Sequence, residues 1–355
     1  MKLALPVCGL ALFACVPIAE AATCTPTGFV RDSINLTAAL INPPGKVRGD
    51  VDATGCNIGI YYSAGAHGRV DGANVHGANY FGIVNNGAKV DIKNSTISDI
   101  GEKPFNGTQH GVAIYFAFGS AARGDIQGNL VWNYQKGGIV VNGPTARAEI
   151  ENNTVLGLGP VSFIAQNGIQ AGYGADVKIE RNFVAGNSYT GAGQTASGGI
   201  LLVGGACYGG DAQTSTKVHR NTALGNDVGV WFSNLDGSCL PLATPTKNIA
   251  DENTLVNNAI NNTSGNGPTQ GYQAGIADQG NFDVIKENDI CGLGYQPPGT
   301  AAAALFAIDV TATNNPKVWK NTICSSSSSL AAATAAVRTA PGKRGAHKRA
   351  ATPIH

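Results

Sequence analysis

Three side chains in this 355-residue chain could carry out acid–base chemistry at close quarters: His110, Tyr134 and Lys136. Drawing a proton from the carbon beside a carboxylate, the first step of a β-elimination, needs a base and a cation to stabilise the enolate-like charge that develops. An imidazole or a phenol can serve as the base, and the Lys136 ammonium can hold the charge or favour the ionised form of a nearby Tyr134. Glu102 and Lys103 share with His110 a charged stretch, 98–111, that reads as a loop able to cover a site. The competing reading of Lys136 is a solvated rim residue. Which holds depends on the elements that carry these residues.

Those elements repeat. A phrase of alternating apolar strand, Asn and short β-branched strand recurs from VDGANV at 70–75 to VWKNTI at 318–323, with its Asn at Asn74, Asn94, Asn129, Asn153, Asn182, Asn221, Asn253, Asn288 and Asn321. The separations run from 20 to 39 residues, so each unit tolerates insertions, and nine units at such a period predict a solenoid. A second strand precedes most phrases, as in Gly138-Ile139-Val140, Gly168-Ile169-Gln170 and Gly199-Ile200-Leu201. Three short strands per unit cannot bury their inward residues alone, whereas stacked units about 4.8 Å apart can. With 48 Gly and 13% charged residues, and no helical periodicity in the body, the composition fits strands punctuated by turns.

The pattern over 57–324 resembles the right-handed parallel β-helix superfamily that includes pectate lyases. The resemblance implies an all-β, right-handed, single-stranded parallel β-helix of about nine coils, with strands PB1, PB2 and PB3 and a stacked Asn ladder at the PB2–PB3 turn. An amide carries donors and an acceptor, so it can satisfy itself in such a ladder. In enzymes of the superfamily the polysaccharide lies along PB1. The outward positions there would be Ala113, Val140, Gln170, Leu201, Trp231 and Ala277, with Tyr115 and Asn142 farther along, and a second column at the start of PB1 would hold Gln109, Lys136, Gln166, Ser197, Asp227 and Gln273. Long T3 loops, from PB3 to the next PB1, would wall this face at 98–111, 156–167, 185–198 and 257–274. The expected substrate contacts are therefore Gln109, Tyr115, Asn142, Gln166, Gln170, Asp227 and Trp231, with Lys136, Tyr134 and His110 catalytic; aromatic rings offer a flat surface for a sugar.

The chain departs from the superfamily's enzymes in specific ways. Asp227, Asp278 and Asp309 are too dispersed for the oxygen cluster that calcium requires, so no cofactor is expected. The NTD and DD motifs of polygalacturonase-like hydrolases and the DPHD motif of alginate epimerases are absent. Two functions remain open: a polysaccharide lyase acting on an acidic glycan by β-elimination, and a non-catalytic glycan-binding or surface-structural β-helix.

Residues 1–21 have the charged, apolar and small-residue order of a signal peptide, which predicts a secreted or periplasmic protein without a transmembrane segment. Six cysteines remain after it. An even number in an oxidising compartment reads as three disulfides, the rival metal site having no CxxC pair to support it. Coil register would pair Cys291 with Cys324, each three residues after a ladder Asn, and Cys207 with Cys239 in successive loops after PB1, while Cys24–Cys56 would pin an N-terminal cap over 22–56. Residues 325–355 form a low-complexity basic tail expected to be disordered. Setting aside Lys2, Glu20 and the five tail bases leaves 18 basic and 22 acidic residues, a net of about −4. That balance does not favour nucleic acid. The expected partner is a glycan, and the expected state a monomer.

Overall fold

The computed structural model describes residues 23–263, 271–300, 302–311 and 314–324, together with the backbone of 337–340. The leader expected over 1–21 and, apart from Val337–Ala340, the tail expected over 325–355 lie outside the described residues.

The chain is a parallel β-helix. Ten PB1 strands stack in parallel register, from Ile34–Ile41 through Ile58–Tyr62, Phe81–Asn85, Val112–Phe116, Gly137–Asn142, Asn167–Gly172, Gly198–Gly204, Val228–Asn234 and Gly271–Asp278 to Ala303–Thr311, with the four residues Val337–Ala340 beside the last. PB2 strands, such as Arg123–Gln127 and Arg147–Glu151, and PB3 strands, such as Leu130–Tyr134 and Thr154–Val161, stack likewise into a second sheet that bends at each PB2–PB3 turn. One PB1 column explains the interior: Ile60, Ile83, Ile114, Ile139, Ile169, Ile200, Val230, Ile276 and Ile308 are in register and fully buried. β-Branched side chains pack well on such a pleated wall, and truncating a buried Ile to Ala costs about 2–5 kcal/mol. The segment 22–56, expected as a cap, also supplies the first coil. Its strand Ile34–Ile41 pairs antiparallel with Thr25–Arg31 and parallel with Ile58–Tyr62, which makes ten coils among the described residues, in keeping with the nine or so expected.

The ladder forms, with two corrections. From Asn129 through Asn153, Asn182, Asn221, Asn253 and Asn288 to Asn321, the backbone N–H and Nδ2 of each Asn donate to Oδ1 of the next at 2.9–3.1 Å. Each Nδ2 also donates to a carbonyl of the preceding coil, as Asn182 does to Ile150 O at 2.9 Å. The residue just before the ladder position is left-handed in nine coils, with Gly72, Asn94, Gly128, Asn152, Arg181, Arg220, Glu252, Glu287 and Lys320 all at positive φ. Asn94 is therefore the turn residue and Ser95 takes the ladder position, its N–H donating to Asn129 Oδ1 at 3.0 Å. One coil earlier the position belongs to Ala73. Asn74 lies outside the ladder and donates to Asp50 Oδ1 at 2.6 Å.

All three expected disulfides form, Cys24–Cys56, Cys207–Cys239 and Cys291–Cys324, with Cα separations of 5.3, 5.0 and 4.8 Å, close to one rung of the stack. No helix among the described residues is long and apolar enough to cross a membrane.

Candidate functional site

The outward PB1 column is Tyr61, Val84, Tyr115, Val140, Gln170, Leu201, Trp231, Ala277 and Asp309. Tyr115, not Ala113, is in register with Val140, and Ala113 packs in the core cluster. Of the expected contact residues Tyr115, Asn142, Gln166, Gln170, Asp227 and Trp231 are all buried, and Gln109 alone is exposed. The Tyr115 ring stacks on Phe81 at 4.9 Å, and Trp231 donates to Gln279 Oε1 at 3.1 Å. Gln170 and Asn142 do meet: Gln170 Nε2 donates to Asn142 Oδ1 at 3.1 Å while its Oε1 accepts from Asn167 Nδ2 at 3.2 Å. This amide trio is the polar part of the expected contact set that the fold assembles.

The column at the start of PB1 binds loops. Gln109 is out of register, since Gly111 holds that position and its carbonyl accepts from Lys136 N. Lys136 is 1% exposed, and its Nζ donates to Ala165 O at 2.9 Å in the T3 loop. Burial lowers its pKa to about 7. Gln166 donates to Tyr134 O at 2.6 Å and accepts from Leu158 N at 2.9 Å. Asp227 accepts from Ser188 Oγ, Tyr189 N, Ser197 N and Asn262 Nδ2 at 2.7–3.1 Å. Burial raises its pKa to about 6 despite those four donors. Gln273 accepts from the backbone N–H groups of Asn261 and Asn262 and donates to Ala259 O and Gly294 O. Long T3 loops carry backbone groups that no strand can pair, and this column supplies their partners.

The expected catalytic three are committed to separate partners. Tyr134 is wholly buried inside the coil, where its hydroxyl donates to Asn187 Oδ1 at 2.6 Å; burial pushes its pKa far up, opposite to the activation that a base requires. Asn187 opens a second Asn ladder at the T3 corner, donating to Asn226 Oδ1 at 2.9 Å, while Asn257 Nδ2 reaches Asn226 O at 2.9 Å, so Tyr134 caps that ladder. His110 stacks on Tyr80 at 3.8 Å, and its Nε2 lies 2.7 Å from Glu102 Oε1. The 98–111 loop around it is pinned by Gln135, which accepts from the N–H groups of Glu102 and Asn106 and donates to Thr108 O.

Other titratable groups gather elsewhere. His219, Asp251 and Glu252 present atoms within 4.8 Å of one another on PB2, but they sit in an ion-pair chain with Lys217, Arg220 and Lys286. Asp278 and Asp283 are buried together, and burial raises both. Asp283 also accepts from Thr246 Oγ1 at 2.7 Å. Sequence reasoning missed the surface aromatic Trp132, 41% exposed on the outer PB3 face. Its signal was present: in LVWNY the alternation that buries Val131 turns Trp132 outward.

No family model matches the chain, and no curated protein matches it. Among solved structures, the crystal structure of the Dettilon tailspike protein (gp208) aligns with a TM-score of 0.47 and 14% identity over 81% of this chain and 55% of that one, so the chain spans about half the length of the tailspike. A likeness this weak bears on neither the fold nor the function assigned to this chain.

Proposed function

We propose that this chain is an exported, non-catalytic glycan-binding β-helix. The observation that carries the reading is the closure of the elimination machinery. Lys136 is sealed under a loop and Tyr134 inside the coil, committed to Ala165 O and Asn187 Oδ1, so neither reaches a polymer on the surface. The leader pattern and the three disulfides fit an oxidising destination, and the stacked rungs give a rigid, extended surface of the kind repeat proteins use for binding. The lyase reading retains one favourable observation, the His110–Glu102 pair, an acid–base arrangement at the PB1 margin. The test incubates the mature protein with a panel of acidic and neutral polysaccharides. The near-ultraviolet absorbance of unsaturated uronate products and retention on immobilised polymer are followed in parallel. Retention without new absorbance is expected; steady growth of absorbance that His110→Ala abolishes would replace this reading with the lyase.

A further inference from the structure

We infer that the outer PB3 face carries a one-ring shelf for a neutral hexopyranose, centred on Trp132 and continued by an apolar column along the helix axis. The inference rests on the glycan-binding reading and names its site and sugar class. Trp132, 41% exposed, and Leu130, 38% exposed, border a shallow depression completed by Asn133, Leu156, Gly157 and Leu158. Gly157 lines it with backbone alone, since a Cβ there would strike Gly186 O of the next coil at 2.5 Å.

The rim is polar for a reason of local geometry. Asp99 and Asn133 are left-handed residues at equivalent places in adjacent coils, φ 55° and 51°, a kink that lets Trp132 face out while Tyr134 turns in. The kink brings the Asn133 amide against the Asp99 carboxylate, which also accepts from Ser98 Oγ at 3.1 Å. An apolar floor beside an amide and a carboxylate matches a pyranose, whose C–H face is apolar and whose rim is all hydroxyl. The sign of the rim selects the sugar. The residues lining the depression include no basic side chain, and the nearby Lys103 ammonium is held 3.2 Å from Asp99 O and 4.9 Å from the Phe105 ring, beside the Asp99 carboxylate, so the margin offers no surplus positive charge to pair with a uronate.

The column beyond the shelf indicates a polymer. Leu156, Ala185, Leu224 and Val256 follow Trp132 in register, one per rung at about 4.8 Å, and Leu224 is 41% exposed. Successive rings lying along the axis would meet an apolar side chain on each rung.

Affinity electrophoresis of the full mature chain through gels containing a soluble neutral glucan, mannan or galactan, or polygalacturonate, tests the inference, with Trp132→Ala and Trp319→Ala run beside the wild type and thermal unfolding followed for all three. The expected result is retardation by a neutral polymer, weakened about tenfold or more by Trp132→Ala and unchanged by Trp319→Ala, with equal melting temperatures. Binding that survives Trp132→Ala would overturn the shelf while leaving the glycan-binding reading in place. Retardation by polygalacturonate alone would overturn the sugar class, and no retardation by any polymer would remove both. A wild type that is dimeric by sedimentation and becomes monomeric as Trp132→Ala would instead assign the patch to a second copy of the chain.

Discussion

Lys136 and Asp227 occupy equivalent places at the start of PB1, three coils apart, and they pull the pH dependence of stability in different windows. The Asp227 carboxyl rises from an ordinary value of 3.8 to about 6 on folding, so the native state binds more protons than the unfolded chain between those values. Its contribution is fully present below about pH 4 and is lost as pH rises through 6, a change of about 3 kcal/mol. Lys136 falls to about 7, so its contribution is present above about pH 10 and is lost as pH falls through 7. Chemical denaturation from pH 5 to 10 should therefore show the wild type gaining stability above pH 7, and Lys136→Met should flatten that rise; an unchanged slope would show that the ammonium is not desolvated. Asp227→Asn should destabilise by about 1–3 kcal/mol at pH 7, because an amide NH2 would face groups that are all donors. The residue types of this column are plain in the sequence, but the direction in which each side chain bends is not. A Lys, a Gln and an Asp before an apolar strand read equally as an open rim or as clamps for a loop, and only the unpaired backbone of each T3 loop decides between them.

At the scale of the element, two ladders brace the corners, and they differ in how well the sequence reveals them. The PB2–PB3 ladder was legible because its Asn recurs between strands of recognisable alternation. It slipped by one residue at Asn94, since Asn suits both the left-handed turn position and the ladder position beside it. The T3-corner ladder of Asn187, Asn226 and Asn257 follows strands of unequal length and ends in loops, so its spacing has no period to notice. Asn182→Leu should destabilise strongly: it leaves Asn153 without its acceptor, and the donors and acceptor of that rung are sealed from water at about 1–3 kcal/mol per group. Tyr134→Phe separates structure from chemistry. It should lower the unfolding free energy by a similar about 1–3 kcal/mol, since Asn187 Oδ1 loses its donor, while glycan retention stays intact. A variant as stable as the wild type would show that the phenol does not cap the ladder.

The molecule as a whole is close to one-dimensional: each coil packs mainly on its neighbours, the Tyr134–Asn187 bond being one that spans two coils, so stability is approximately a sum of coil and interface terms, and the ends are where it fails first. The disulfides follow that logic. Cys24–Cys56 ties the N-terminal hairpin to the first turn of the stack, Cys291–Cys324 ties the last two complete coils together at PB3, and Cys207–Cys239 bridges adjacent loops in between. Each closes a segment of 32 or 33 residues, worth about 3–4 kcal/mol if the constraint acts on the unfolded chain. In a cooperative globule, losing a terminal bridge would lower the stability of every residue alike. In a stack it should loosen the end alone. Hydrogen exchange on the Cys291→Ser/Cys324→Ser double variant is therefore expected to show faster exchange in Asp289–Cys291 and Lys317–Trp319 and unchanged protection in the central strands Gly137–Asn142 and Asn167–Gly172, whose ladder and Ile column lie several rungs away. Uniformly faster exchange along the chain would mean that the ten coils unfold as one unit, with the PB2–PB3 Asn ladder coupling them along the stack.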